Sequence, residues 1–214
     1  MENVTDRTSN PFGMRPPCPH GPESAVPGYG DANADFHLIG DHPGVHGGGS
    51  TGVPFTDSLA GERLQAALSE VGLLEEPYSD EPAVWNLFLS YLHMCRASGD
   101  EPTAAEYADL ERFFDAELRA IAAHVLLPVG ERAIRHVVGQ YTAKVATDVD
   151  VEGVHATEIR GSGFLVVPIA DPVGWDGEDH DALVDRLCTV LAMDYRQTTD
   201  LSRFLGTSEL YFVR

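Results

Sequence analysis

The amino-acid sequence predicts an α/β fold with three layers, in which helices cover both faces of a central, mostly parallel sheet of four strands. Short, nearly continuous apolar runs, typical of strands buried on both faces, alternate with longer segments of helical periodicity. The chain has 214 residues, which is enough for one domain with a full core. We therefore expect a Pro- and Gly-rich arm over residues 1–27 and a single domain over residues 28–214.

Strands and helices alternate along the first half of the domain. A strand is predicted over about 34–40, and a glycine-rich loop follows it. Apolar residues at helical spacing predict a helix over about 58–72, and the apolar run 83–89 predicts the next strand. Thr103 stands three residues before Glu106, a capping-box pattern that opens a helix extending to about residue 122.

The second half continues the alternation. A strand is predicted over 124–129, a helix from Gly130 to about 139, a hairpin-like pair over 154–159 and 163–169, and a final helix over about 178–195. Ligands of such sheets bind at the carboxyl ends of the strands. The glycine-rich loop, the stretch after Asn86 and the segment around Asp171 all follow predicted strands. We therefore expect Gly40, Asn86 and Asp171 near one edge of the sheet.

The composition is strongly acidic, with 34 acidic against 14 basic residues and a formal net charge of -20. Hydrophobic residues make up 43% of the chain, which excludes a disordered acidic tail. We expect a cytoplasmic protein adapted to very high salt, where the Debye length falls to ~3 Å and crowded carboxylates repel one another little. The net charge then says little about DNA binding. No secretory signal and no membrane span is predicted.

The loop over residues 40–55, GDHPGVHGGGSTGVPF, is compatible with several kinds of site. It imitates a phosphate-binding loop, but Ser50 stands where such loops have their lysine. His37, His42 and His46 could hold a metal ion, although ordinary loop and strand histidines are the more common explanation. A flexible surface loop without a ligand is a further alternative.

The order of several motifs resembles the uracil-DNA glycosylase superfamily, most closely its prokaryotic branch that carries an iron–sulfur cluster. The resemblance covers about residues 25 to 190. The matching segments are VPGYGDANAD (26–35), GDHPG (40–44), GVPF (52–55), Asn86 in a predicted strand, Cys95-Arg96, PTAAE (102–106) and LPVGERA (127–133).

The resemblance implies an enzyme that takes a deaminated or otherwise altered base out of DNA and cuts its N-glycosidic bond through an oxocarbenium-like sugar. It implies base-binding roles for backbone N–H groups near Gly40 and Gly44, for stacking on Phe55 and for amide pairing by Asn86. Phe55 could instead be a core residue, and Asn86 could instead bond to the backbone. The implied partner is DNA carrying a damaged base, and we expect a monomer.

The candidate catalytic residues are those at which the sequence departs from the family. His42 stands where relatives have an acid or alanine, and Asp171 stands where they have the histidine that stabilises the leaving base. We expect His42 and Asp171 to form a pair, with the adjacent Asp41 as the third candidate. The alternatives are a protein that binds DNA, a nucleotide or a partner protein without catalysis, and a small-molecule hydrolase on the same scaffold.

The resemblance also bears on cofactors, because relatives hold their cluster with four cysteines. Cys18 and Cys95 are the candidate ligands that remain, Leu110 stands at a third ligand position, and Cys188 lies outside the pattern. We therefore expect the cluster to be lost, with no other cofactor and no metal site. Cys95 and Cys188 could alternatively be small buried hydrophobic residues.

Overall fold

A computed structural model describes residues 8–97, 101–121, 123–193, 198–200 and 210–212 of the chain. The strands are β1 (Tyr29–Gly30), β2 (Phe36–Gly40), β3 (Leu87–Tyr91), β4 (Val125–Pro128), β5 (Ile159–Arg160), β6 (Leu165–Val166), β7 (Thr198–Asp200) and β8 (Leu210–Phe212). The α-helices are α1 (Pro43–His46), α2 (Leu59–Glu70), α3 (Ala104–Ile121), α4 (Gly130–Tyr141) and α5 (Gly177–Ala192). The predicted alternation of strands and helices is confirmed.

The main sheet has six strands in the order β1-β3-β2-β4-β6-β5. Strands β3, β2, β4 and β6 run parallel to one another, and β1 and β5 add to the edges in antiparallel orientation. The prediction of a mostly parallel sheet is confirmed, but the sheet has six strands rather than four. Each added edge strand is only two residues long, which is too short to carry a periodic hydrophobic pattern. Strands β7 and β8 form a separate antiparallel pair.

Two hydrophobic clusters lie on opposite faces of the sheet. One joins Leu38 of β2 with Leu68 of α2 and Leu187 of α5, and the other joins Ile39 of β2 with Ile134 of α4 and with apolar residues of α3. Neighbouring residues of a strand point to opposite faces, so β2 contributes to both clusters. The two helix pairs and the sheet make the three predicted layers.

Helix ends follow the predicted capping chemistry. At α3, the Thr103 N–H donates to the Glu106 carboxylate at 2.7 Å and the Glu106 N–H donates to the Thr103 hydroxyl at 3.3 Å, so the predicted capping box is confirmed. Ser58 caps α2 in a similar way, with its hydroxyl accepting from the Gly61 N–H at 3.0 Å.

Within the described part of the chain, no helix has the length and apolar character needed to cross a bilayer.

The described part of the N-terminal arm packs along the β1–β3 edge. Cys18 is joined to Cys95, just past the end of β3, by a disulfide whose Cα atoms lie 5.4 Å apart. Leu110 of α3 is buried against these two cysteines. The Gly30 N–H donates to the Thr8 carbonyl at 2.8 Å, which adds backbone pairing to the covalent link.

Reduction of this disulfide is expected to lower the free energy of unfolding by about 4 kcal/mol, because the bond closes a 77-residue loop in the unfolded chain. Urea unfolding of the parent with and without reductant, and of the Cys18→Ser/Cys95→Ser double variant, measures the effect. Cys188→Ser is the control, because Cys188 is exposed and unbridged. Equal unfolding midpoints for the parent with and without reductant would contradict this expectation.

A buried acid lies beneath the junction of arm and domain. Glu117 of α3 is fully buried, its Oε1 accepts from the Gly28 N–H at 3.2 Å, and its Oε2 has no partner among the described residues. Burial raises the pKa of Glu117 from 4.5 to about 8, so the folded protein keeps this carboxyl protonated at neutral pH.

We expect Glu117 to make the protein less stable as the pH rises from 4.5 to about 8, because the folded state binds a proton there that the unfolded state releases. Glu117→Gln mimics the protonated acid and should remove this dependence, whereas Glu111→Gln on the exposed side of α3 should not. Urea unfolding between about pH 7 and 8 makes the comparison above 6.5, the pKa at which histidines of the unfolded chain titrate. An unchanged slope in Glu117→Gln would exclude this role.

Candidate active site

Three chain segments meet at the carboxyl ends of the parallel strands. Asp41 follows β2, Gly130 follows β4, and Asp171 follows the segment beyond β6, where Ile169 pairs in parallel with Val129. They border a cleft of about 610 Å³. Its lining consists of Asp41, Val45, His46, Glu101, Gly130, Glu131, Arg132, Arg135, His136 and Asp171. The expectation that Gly40 and Asp171 lie near one edge of the sheet agrees with this placement.

His46 presents a single buried nitrogen on the side of Gly130. It is the last residue of α1, and its Nδ1 accepts from the Asp41 N–H at 3.1 Å, so the neutral ring carries its proton on Nε2. Nε2 is buried without a hydrogen-bond partner among the described residues. A Cβ on Gly130, which has a φ of +79°, would lie 3.3 Å from this nitrogen, so glycine leaves space beside it.

Burial keeps the His46 ring neutral. It lowers the pKa of His46 from 6.5 to about 4, against the opposing charges of Asp171 and Asp41. At neutral pH the ring therefore offers an uncharged N–H beside two carboxylates. A buried donor without a partner is costly in a folded protein, and such groups are often found where a ligand supplies the missing acceptor.

The two carboxylates of the cleft have different surroundings. Asp41 accepts from the Tyr107 hydroxyl and from Arg132 Nε, the latter at 3.3 Å, and Arg132 also lies over the Tyr107 ring at 4.4 Å. Asp171 is exposed, and its Oδ1 accepts from the Val173 N–H at 2.9 Å, which starts the 3-10 helix Pro172–Gly174. Asp41 is thus held in place by neighbouring side chains, whereas Asp171 presents its carboxylate to solvent.

Three aromatic rings fill the space behind the cleft. His46 stacks on Phe55 with ring centroids 5.5 Å apart, and Tyr91 lies 6.3 Å from His46 and 5.2 Å from Phe55. All three side chains belong to residues that are at most 1% exposed. Phe55 was predicted to stack on a base, with a core role as the alternative, and the structure places its ring in the core.

The backbone N–H groups of the glycine-rich loop bond within the loop itself. The Gly44 N–H donates to His42 Nδ1 at 3.1 Å, and the Gly47 N–H donates to the Pro43 carbonyl at 3.0 Å. Gly47 has a φ of +86°, and a Cβ there would lie 1.9 Å from the Thr56 carbonyl oxygen. The loop therefore needs glycine at Gly47 because its own chain passes closely. The Gly44 N–H, predicted to face a base, donates to His42 in this structure.

The predicted pairing of His42 with Asp171 is wrong. His42 is buried, its Nδ1 is taken by the Gly44 N–H, and no hydrogen bond joins it to Asp171 within the part of the chain that the structure describes. The charges that act on His42 include those of Asp41 and Arg132, whereas Asp171 acts on His46. His46 lies one helical turn beyond His42, and α1 carries it into the cleft.

Asn86 lies at the other end of its strand from the cleft, so its predicted place beside Gly40 is wrong. β3 begins at Leu87, and Gly40 pairs with Tyr91 at the far end of that strand. Asn86 has a φ of +53°, its Oδ1 accepts from the Asp35 N–H at 2.6 Å, and its Nδ2 donates to the Asp35 carboxylate at 3.1 Å. Asn86 therefore has the alternative role, in which its side chain bonds to the backbone, here to the Asp35 N–H.

The cysteines present do not fit a four-thiolate cluster. Cys18 and Cys95 are bonded to each other, apolar Leu110 packs against them, and Cys188 lies exposed on α5. Among the described residues, no group of three or more His, Cys, Asp or Glu side chains is arranged to hold a metal ion. The sequence allowed a metal site that included His37. In the structure, His37 Nε2 instead contacts the Ser90 hydroxyl at 2.7 Å inside the sheet.

Comparison with known proteins identifies what the chain is similar to. A family model described as the uracil DNA glycosylase superfamily matches residues 27–177, more than half of the chain. A type-5 uracil-DNA glycosylase from Pyrobaculum aerophilum is 32% identical over 139 residues, which make up 63% of this chain and 62% of that protein.

Two further relatives extend the comparison. A type-5 uracil-DNA glycosylase from Thermus thermophilus is 35% identical over 96 residues, or 44% of each chain. A type-4 uracil-DNA glycosylase from Saccharolobus solfataricus is 26% identical over 153 residues, 70% of this chain and 66% of that protein. The match therefore covers less than two thirds of both type-5 relatives.

Proposed function

Because this chain belongs to the uracil-DNA glycosylase superfamily, we propose that it is a hydrolase that extrudes a deaminated base from DNA and cleaves its N-glycosidic bond. The names of its relatives support this class of reaction. The observation that carries the proposal is the cleft at the strand ends. Both His46, whose Nε2 has no partner among the described residues, and Asp171, whose carboxylate is exposed, line this cleft.

The reaction needs stabilisation of two opposite charges. As the bond between the sugar C1′ and the base nitrogen breaks, its electron pair leaves with the base, and the sugar becomes an oxocarbenium-like cation. A water oxygen then bonds to C1′ and loses a proton, and the departed base anion takes up a proton, so the products are a sugar hydroxyl and the neutral free base. A donor must face the departing base and a carboxylate must face the sugar, because each stabilises the charge that develops beside it.

His46 supplies the donor in this proposal. Its Nε2–H is neutral and without a partner among the described residues, and it lies buried at the cleft wall beside Gly130. A local movement of that wall lets the base reach this nitrogen and bond to it as negative charge builds up there. The Asp41 N–H, held against Nδ1 at 3.1 Å, fixes both the tautomer and the direction of the ring.

Asp171 supplies the negative charge. Its Oδ1 is fixed by the Val173 N–H at 2.9 Å, which leaves the second carboxylate oxygen to face the sugar cation or to orient the attacking water. This role differs from that of the histidine at the corresponding family position. In the proposal, the acid and the imidazole have exchanged places between the two segments, with His46 rather than His42 as the imidazole.

Apolar residues beside the cleft suit the extrusion step. Val45 lines the cleft and is 39% exposed, and Val173, two residues after Asp171, is 50% exposed. Proteins that unstack a duplex often insert such apolar side chains between base steps, which offsets part of the lost stacking. We propose that one or both valines enter the space that the extruded base leaves.

The direct test is a base-release assay in high salt. DNA oligonucleotides carrying uracil, hypoxanthine or xanthine would be incubated with the protein, and released base and abasic strand would both be quantified. Release of at least one base above the uncatalysed rate supports the proposal. If no base is released although the same DNA binds, the protein is a binding member of the fold.

That second function, binding without catalysis, is favoured by one observation. Phe55 is covered by His46 and Tyr91, so the ring that was predicted to stack on a base is closed off. Fluorescence anisotropy with damaged and undamaged DNA, run beside the release assay, separates the two functions because it detects binding that leads to no cleavage.

A further inference from the structure

Tyr91 occupies the space in front of Phe55. It ends β3 and pairs directly with Gly40 at the end of β2. A Cβ on Gly40 would lie 2.7 Å from both the Phe55 and the Tyr91 rings, and 2.8 Å from His46 Nδ1. The three rings therefore pack over a bare backbone position and leave no room even for a methyl group.

The Tyr91 ring is fixed by hydrogen bonds to both sides of the glycine-rich loop. Its hydroxyl accepts from the Phe55 N–H at 2.7 Å and donates to the Gly47 carbonyl at 3.0 Å. The ring is fully buried, so it cannot swing aside without breaking both hydrogen bonds, of which the one from the Phe55 N–H is itself buried.

We propose that Tyr91 is a specificity-determining residue that denies a pyrimidine the face of Phe55. It directs the extruded base instead to the cleft lined by His46, Gly130 and Asp171, here called the outer cleft. This inference rests on the proposed function. It follows from the ring positions, because His46 and Tyr91 cover the Phe55 ring at centroid distances of 5.5 and 5.2 Å, whereas His46, Gly130 and Asp171 line the open cleft.

A base in the outer cleft contacts polar side chains, whereas a base stacked on Phe55 would contact an aromatic ring. The cleft has about 610 Å³ of space, and His46, Arg132 and Asp171 line it with polar groups. Recognition there depends on hydrogen bonds to the edge of the base, with little shape selection against a two-ring base. Tyr91 thus favours acceptance of deaminated purines together with uracil.

The test uses Tyr91→Ala, which removes the ring, and two readouts that do not depend on each other. Binding of free uracil is measured by NMR titration, and release rates are compared for uracil and hypoxanthine in DNA. Tyr91→Ala is expected to bind uracil about tenfold more tightly than the parent, since stacking on an aromatic ring is worth about that much. Its release ratio should shift toward uracil by a similar factor.

Matched variants separate this effect from a general loss of packing. Tyr91→Phe keeps the ring and should show no gain in uracil binding, and Tyr91→Leu is a smaller perturbation should Tyr91→Ala not fold. Adding Phe55→Ala to Tyr91→Ala should abolish the gain. Tyr141→Ala removes an aromatic ring of α4 that packs on Phe164 rather than on Phe55, so this variant should show no gain in uracil binding.

The outcomes distinguish this inference from the proposed function. A gain in uracil binding by Tyr91→Ala, with no base released by any variant, would support the role of Tyr91 and reject the glycosylase reaction. Equal uracil binding by the parent and by folded Tyr91→Ala or Tyr91→Leu would overturn the inference. Direct contact of uracil with Phe55 in the parent would also overturn it.

Discussion

Replacement of His46 by glutamine is expected to lower the rate of base release by about 100- to 1000-fold, the loss typical of removing one preorganised donor to a developing anion. The Nε2–H of His46 is lost, and glutamine cannot place a donor at the same point while accepting from the Asp41 N–H. The effect should fall on kcat, because the bond strengthens as charge builds on the departing base. Single-turnover release from a uracil-containing oligonucleotide measures it.

Controls for His46→Gln must separate chemistry from folding. His180 on α5 contacts Glu70 at 3.0 Å and lies outside the cleft lining, so His180→Gln should release base at the parental rate. Urea unfolding of both variants checks that the native state persists. Parental kcat in folded His46→Gln would remove His46 from the reaction.

Replacement of Asp171 by asparagine is expected to lower the rate of base release by about 100-fold, through loss of the negative charge that faces the sugar cation. Asparagine can still accept from the Val173 N–H, so the turn that begins at Pro172 should be retained. The prediction therefore isolates charge from structure. Single-turnover rates for Asp171→Asn and Asp171→Ala, with the parent beside them, measure it.

The comparison variant for Asp171 is Asp176→Asn. Asp176 caps α5 through the N–H groups of Glu178 and Asp179, and it lies outside the cleft lining. It should therefore cleave like the parent. If Asp171→Asn cleaved as fast as the parent, Asp171 would be reduced to capping the turn.

The layered fold could be predicted from the sequence because its elements have strong local signals. Buried strands such as Leu87–Tyr91 are short apolar runs, and the Thr103–Glu106 box marks the start of α3. The edge strand β1 could not be predicted, since a two-residue strand depends on its neighbours rather than on its own pattern. The edge strand β5 begins at the end of the predicted hairpin-like pair and runs antiparallel to β6, as a hairpin requires.

The site could be located but not assembled residue by residue. The loop after β2 and the segment at Asp171 were correctly placed at one edge, because strand ends follow from topology. Which histidine faces Asp171 depends on the one-turn helix α1, whose four residues carry no periodic signal. His46 was visible in the sequence only as the second histidine of the loop.

Asn86 was misplaced because a shift of the strand start by a few residues moves a side chain to the other end of the sheet. The strand was predicted over 83–89, whereas β3 spans Leu87–Tyr91. Tyr91 was missed because nothing in its local sequence indicates that its ring covers Phe55. That contact joins residues 36 positions apart and exists only in the folded chain.

The central claim is that the extruded base lies in the outer cleft with a polar atom bonded to His46 Nε2. A crystal structure of the protein with DNA carrying 2′-fluoro-2′-deoxyuridine tests it most directly, because the fluorine disfavours the sugar cation and keeps the glycosidic bond intact. The predicted result is a base beside Gly130 and Asp171, with an acceptor within about 3.2 Å of Nε2 and Tyr91 in place. A base stacked on Phe55 with Tyr91 displaced, or DNA bound away from this cleft, would contradict it.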